Sequence, residues 1–230
     1  SKNVLITVSQ PGQYFYNVAV TDPGTSNCPT VVTVNSTVDV NVLPSPSVSI
    51  IAENGSSGSI ISVCQNSTGS VIKFTNPESQ PVTLIYNING GTGISINIPA
   101  NSNTSVSVPT SIAGTYTYNL VSVSYQEGPT CEANASGSAT VTVNPLPVAP
   151  VSASVDRNNL CPNDNGNIVL TASGGSGSTL SWYSGSCGGT LVGTGNNLSI
   201  ASPVETTTYF AQWSNNCGVS TCVSVTVTVE

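Results

Sequence analysis

The chain has 230 residues, of which only 3 are Lys or Arg and 10 are Asp or Glu, for a formal net charge of −7. Charged residues make up 6% of it, against about 25% in an ordinary soluble domain, and His and Met are absent. So few basic groups exclude a phosphate track or an anionic lipid surface as partner, and the lack of His excludes His-based acid–base catalysis and His metal sites.

Hydrophobic residues still make up 38%, enough for packed cores. There is no run of about 18 apolar residues of the kind a membrane-spanning helix needs. The opening Ser1-Lys2-Asn3-Val4 is strand-like and carries no signal-peptide pattern. The expectation is a fragment of a longer protein, with targeting signals and any active head elsewhere.

In chain order, Pro11-Gly-Gln-Tyr-Phe-Tyr-Asn17 is followed by Cys28, by the alternating Val38-Asp-Val-Asn-Val42, and by the joint Leu43-Pro-Ser-Pro46. The same succession returns as Ala113-Gly-Thr-Tyr-Thr-Tyr-Asn119, Cys131, Thr140-Val-Thr-Val143 and Pro145-Leu-Pro-Val-Ala-Pro150. Cys28 stands 16 residues before Pro44, and Cys131 stands 16 before Pro147, an offset of 103 residues. That offset is the size of one Ig-like sandwich. The chain therefore divides into residues 1–44, the C-terminal part of a truncated module, residues 45–147, a complete module, and residues 148–230, a shorter module. Closely spaced prolines at the two joints favour extended, semi-rigid connections.

Period-two alternation, β-branched Val and Thr, and turn clusters such as Asn89-Gly-Gly-Thr-Gly93 and Gly174-Gly-Ser-Gly177 indicate antiparallel strands throughout. In the last module strands are expected near 151–156, 167–173, 179–183, 190–200, 207–214 and 220–229. Trp182 falls on the third of these, where a sandwich buries a large aromatic. Tyr116, Tyr118 and Leu120 share one strand face and are expected in the core. The predicted fold class is all-β: tandem Ig-like β-sandwich modules arranged as an extended rod.

Seven cysteines without CxxC or zinc-ligand spacing suggest structural disulfides in an oxidising compartment. Cys64 and Cys131 are the only cysteines of the middle module, so elimination pairs them, closing a loop worth about 4 kcal/mol. Cys28 matches Cys131 in position and is expected unpaired within this chain, its partner lying upstream. In the last module, analogy pairs Cys161 with Cys217 and Cys187 with Cys222. Strict sandwich topology favours Cys161–Cys187 with Cys217–Cys222 instead.

No motif carries catalysis. The carboxylates are scattered, with no spacing that suggests a glycosidase pair. No EF-hand loop is present, and Asp156 and Asp164 beside Asn163 and Asn165 are a weak candidate for a loop-bound Ca²⁺, with a solvated turn as the default. Lys73 has no counterpart in the last module, which argues against a repeated isopeptide scheme. No cofactor and no metal are expected.

The middle and last modules resemble repeat units of very large Bacteroidota cell-surface adhesins, of which SprB-like gliding-motility adhesins are the nearest type. The resemblance rests on Val63-Cys-Gln-Asn-Ser-Thr68, Tyr86-Asn-Ile-Asn-Gly-Gly91, Ala113-Gly-Thr-Tyr-Thr-Tyr-Asn119, Ser181-Trp-Tyr-Ser-Gly-Ser-Cys187 and Thr206-Thr-Thr-Tyr209. It implies export by the type 9 secretion system, display on the outer-membrane cell surface, contact with the gliding machinery, and grip on polysaccharide or abiotic surfaces. The expected function is thus a structural and adhesive stalk whose first partners are its own neighbouring modules. The alternative is a carbohydrate-binding accessory module of a secreted glycan-degrading enzyme, for which Trp213 is the candidate glycan contact.

Overall fold

The computed structural model describes residues 12–21, 31–40, 44–127 and 132–230, the first two stretches through their backbone alone. Every regular element among them is a strand. The first two, β1 (Gly12–Thr21) and β2 (Val31–Val40), form an antiparallel pair with Gly12 opposite Val40 and Tyr14 opposite Val38.

The next ten strands surround one core. They are β3 (Ser49–Glu53), β4 (Ser57–Gly58), β5 (Ile60–Cys64), β6 (Val71–Asn76), β7 (Val82–Ile88), β8 (Ile94–Ile98), β9 (Ser102–Ser107), β10 (Gly114–Tyr125), β11 (Glu132–Asn134) and β12 (Ser138–Asn144). One sheet has the order β4-β3-β6-β9, and the facing sheet has the order β5-β12-β10-β7-β8 with β11 on β10. All pairs are antiparallel except β5 with β12, which run parallel with Val63 opposite Val143. Alternation decides what is buried: Ile72 and Phe74 on β6, Val82, Leu84 and Tyr86 on β7, and Val141 and Val143 on β12 face inward. Phe74, Tyr86 and Tyr118 stack through the centre, with ring centroids 4.9 Å and 6.2 Å apart.

Tyr118 and Leu120 lie in this core, as their strand face predicts. Tyr116, two residues earlier, is half-buried and donates its hydroxyl to the Ile112 carbonyl at 3.0 Å. That back-bond at the start of the penultimate long strand is the tyrosine corner of Ig-like sandwiches. The pair β1–β2 repeats the register of β10–β12, where Gly114 faces Val143 and Tyr116 faces Val141.

A second core is enclosed by β13 (Ser152–Val155), β14 (Asn167–Ser173), β15 (Thr179–Ser184), β16 (Thr190–Thr194), β17 (Leu198–Ala201), β18 (Thr207–Asn215), β19 (Gly218–Val219) and β20 (Val223–Val227). One sheet runs β13-β14-β17, and the other runs β16-β15-β18 with β19 and β20 both on β18. Trp182 on β15 is fully buried, and its indole N–H reaches the Gly195 carbonyl at 3.1 Å. The single strand expected over 190–200 is two strands in different sheets. Asn197 and Gly195 adopt positive φ there (55° and 96°), and Asn196 docks its side chain on both backbone groups of Ala172. The chain is all-β and Ig-like in its sandwiches.

Candidate functional site

The chemistry of this chain concentrates where the two sandwiches meet. Asn144 ends β12 at the foot of the first, and Pro145–Pro150 lead into the second. Prolines set this segment extended and remove its donors, so its remaining N–H groups need partners from outside. Val148 exchanges two hydrogen bonds with Ser176 at 2.8 Å and 3.0 Å, and Val151 donates to Ser173. The receiving turn is glycine for a steric reason. Gly175 has φ of 73°, and a Cβ there would lie 2.5 Å from the Ala149 carbonyl oxygen. From the first sandwich, Gln65 receives the Leu146 N–H at 3.4 Å and donates to Ser111 at 2.8 Å. From the second, Asn215 donates its side-chain amide to the Pro145 carbonyl at 3.0 Å, while its oxygen receives the Cys217 N–H at 2.7 Å.

A disulfide closes this joint. Cys64, at the end of β5, is bonded to Cys217, between β18 and β19, with 5.3 Å between their Cα atoms. This corrects the expected pairs Cys64–Cys131 and Cys161–Cys217, and with the Cys187–Cys222 bond it also overturns the alternative Cys161–Cys187 with Cys217–Cys222. Each had assumed closure within one module. Cys131 lies outside the described residues. Along β10, Ser124 pairs with Glu132 at one end of the sandwich, and Gly114 pairs with Val143, next to the Asn144–Cys64 pair, at the other. Ten residues of β10 separate those ends, about 33 Å of strand, and a disulfide spans less than about 7 Å between Cα atoms. The same opposition separates Cys161 from Cys217: the neighbouring Leu160 bridges Val229, while Cys217 adjoins the pair Asn215 with Gly218. A cysteine at the foot of one sandwich meets one at the head of another only across a joint.

The second bond joins Cys187, in the β15–β16 turn, to Cys222, with Cα atoms 5.8 Å apart. Gln212 lies beneath it, donating to the Ser220 carbonyl at 2.7 Å with its amide 3.7 Å from Cys187 Sγ. The bridge covers the outer side of β15 and β18, which accounts for the burial of the polar pair Ser181 and Gln212. Among the described residues Cys161 is a free, exposed thiol. Cys28 lies outside the described residues.

Trp213, the candidate glycan contact, belongs to the joint. Its indole N–H donates to the Gly174 carbonyl at 3.1 Å, and a Cβ on Gly177 would lie 2.9 Å from its own Cβ. The ring thereby holds the turn that receives Val148. Beside it lies a cleft of about 400 Å³ lined by Asn144–Leu146, Ser176–Ser178 and Asn215–Cys217.

The remaining candidates are committed elsewhere. Arg157 pairs with Asp164 at 3.0 Å, and Ser202 donates to the same carboxylate. The hydrogen bonds from Arg157 and Ser202 hold the Asp164 carboxyl below the usual carboxylate range. The Asp156 carboxylate accepts the Val169 N–H at 2.7 Å. Lys73 faces Glu53 at 3.4 Å on adjacent strands. Among the described residues no group of three or more acidic or Cys side chains gathers to hold a metal ion.

Residues 147–230 match the family described as an Ig-like domain, CHU_C associated. No curated protein matches the chain in sequence. Among solved structures, it is similar at 17% identity and a TM-score of 0.41 to a Ca²⁺-stabilised adhesin that helps an Antarctic bacterium reach out and bind ice, over 94% of this chain and 57% of that one. It is similar at 21% identity and a TM-score of 0.23 to the BSP domain of a biofilm-associated protein, over 73% of this chain and 28% of the other. With the N-terminal four Ig domains of Dscam1 isoform 6.9 the identity is 14% and the TM-score 0.33, over 86% and 51%. The chain thus spans 57% of the first of these proteins and less of the other two.

Proposed function

We propose that this chain is a stretch of the stalk of an extracellular adhesin, in which Ig-like modules follow one another as an extended rod. The observation that carries this is the joint, where a disulfide and a strapped proline segment fix one sandwich onto the next. A connection meant for independent motion would be Gly/Ser-rich and unbonded. Disulfides of this kind persist in oxidising, extracellular compartments. The module boundaries on this reading are 1–44, 45–147 and 148–230.

The mechanism is mechanical and not catalytic. Strand ladders and disulfides resist extension, and the hydroxyl- and amide-rich surface makes many weak contacts with polysaccharide or abiotic surfaces. The resemblance of the repeats to gliding-motility adhesins adds the finer proposal: export by type 9 secretion, outer-membrane display, and service in attachment and gliding.

An antibody against the chain tests the reading on unpermeabilised cells of the organism that makes it. Surface labelling, with loss of attachment and of colony spreading in the gene deletion, is the expected result. Labelling only after permeabilisation would sink the stalk; labelling with normal spreading would remove gliding alone.

A further inference from the structure

Cys64 and Cys161 occupy the same place in their sandwiches. Cys64 follows Val63, which pairs in parallel with Val143; Cys161 follows Leu160, which pairs in parallel with Val229. Each cysteine opens the same turn, its carbonyl accepting the N–H of Ser67 at 3.0 Å or of Asp164 at 3.1 Å. The third residue of each turn is a left-handed Asn, Asn66 at φ 64° and Asn163 at φ 65°. The partner cysteines share a second fixed spacing. Cys217 stands twelve residues before Val229, Cys131 twelve before Val143, and Cys28 twelve before Val40. Those three valines are equivalent: Val40 faces Gly12 as Val143 faces Gly114, and the cross-strand hydroxyl pair Thr117–Thr140 recurs as Thr208–Thr226 at the offset of Val143 from Val229.

Each of the two sandwiches therefore carries a foot cysteine, Cys64 or Cys161, and the second carries the head cysteine Cys217, whose sequence spacing Cys131 and Cys28 share. In the bond that is made, the foot of one sandwich holds the head of the next. We propose that Cys161 is the foot half of an identical staple, and that the surface around it docks the head loop of another module of this kind through a disulfide to that loop's cysteine. Cys28 and Cys131 are the corresponding head halves, each taking the foot cysteine of a preceding module. A staple at Cys161 would extend the Cys64–Cys217 bond into a covalent ladder running from module to module. Two thiols become one disulfide and release two protons and two electrons. The acceptor is the disulfide of a thiol–disulfide oxidoreductase or of a small molecule, which leaves as the dithiol or thiol pair. The inference stands on disulfide geometry and not on adhesion, so loss of either leaves the other intact.

The test extends the full chain after Glu230 with a second copy of residues 145–230, which reproduces the spacing of the existing joint, and oxidises it in a glutathione buffer. Peptide mapping without reduction should join Cys161 to Cys217 of the appended copy. Cys161, alkylated by iodoacetamide in the 230-residue chain, should become protected in the extended one. A Cys161→Ser version should leave the appended Cys217 alkylated while both Cys187–Cys222 bonds form, which reports that the modules fold. Alkylation of Cys161 in the extended chain, or protection of the appended Cys217 in the Cys161→Ser version, would overturn the proposal.

Discussion

Tyr118 shows how much one buried side chain decides. Its ring is 1% exposed at the centre of the first core, and burial, with Tyr86 and Tyr116 beside it, pushes its pKa up to about 12 from the usual 10.0. In the unfolded chain the phenol ionises first, so folding stability is fully present below pH 10 and is lost as pH rises toward the folded value. Thermal melts across pH 10 to 12 should show a steady fall in stability, to which buried Tyr86 and Tyr209 also contribute, and Tyr118→Phe should lessen it. An equal fall in the variant would show that the buried phenol is not responsible. Tyr118 was legible as core from the face of its strand, and Trp182 from its place on the third strand of the last sandwich, where a large aromatic is buried. Trp213 was not: its place on a strand end is clear in the sequence, but the carbonyl of Gly174 that captures its N–H comes from another loop.

Strands and turns form the next scale. The Cys187–Cys222 bond closes a loop with a sequence separation of 35. On the chain-entropy account that closure contributes about 4 kcal/mol. Denaturant unfolding of Cys187→Ser, with the freed Cys222 alkylated, should show a loss of that order in the second sandwich, while the first keeps its own transition. A second prediction concerns the strap. Gly175→Ala sets a left-handed residue against the Ala149 carbonyl, and such backbone alone costs roughly 1–2 kcal/mol. Hydrogen exchange should quicken at the amides of Val148 and Ser176, with core amides such as those of β18 still protected; unchanged exchange at those two would contradict the strap. The break inside 190–200 escaped the sequence because Leu191-Val192 and Leu198-Ser-Ile200 both suit a strand, and only the sheet each joins separates them. Gly195-Asn196-Asn197 was the available signal for that crossing.

Across the whole molecule, the sandwich architecture was readable and the covalent path was not. Periodic valines and a repeat of 103 residues lead directly to Ig-like sandwiches, since a two-residue period and turn spacing leave few other folds. Pairing by elimination failed because it counted cysteines within modules. Loop length adds little cost to closure, so proximity of ends decides which thiols meet. Foot and head of one sandwich are a strand length apart, and foot and head of neighbours touch. The spacing of twelve residues before the last-strand valine was present all along and becomes meaningful only once Cys217 is seen across the joint.

The consequence is a bypass for tension. Force entering at the N-terminus passes the ladders of β3 and β5 to Cys64, crosses to Cys217 and leaves through the ladder of β20, so covalent tension bypasses the intervening chain. Single-molecule extension of the full chain between its two ends, with and without reductant, measures this directly. The sequence separation of 153 should appear on reduction as about 500–550 Å of added contour length. No lengthening, or only the roughly 120 Å that the Cys187–Cys222 loop can release, would contradict a staple between the two sandwiches.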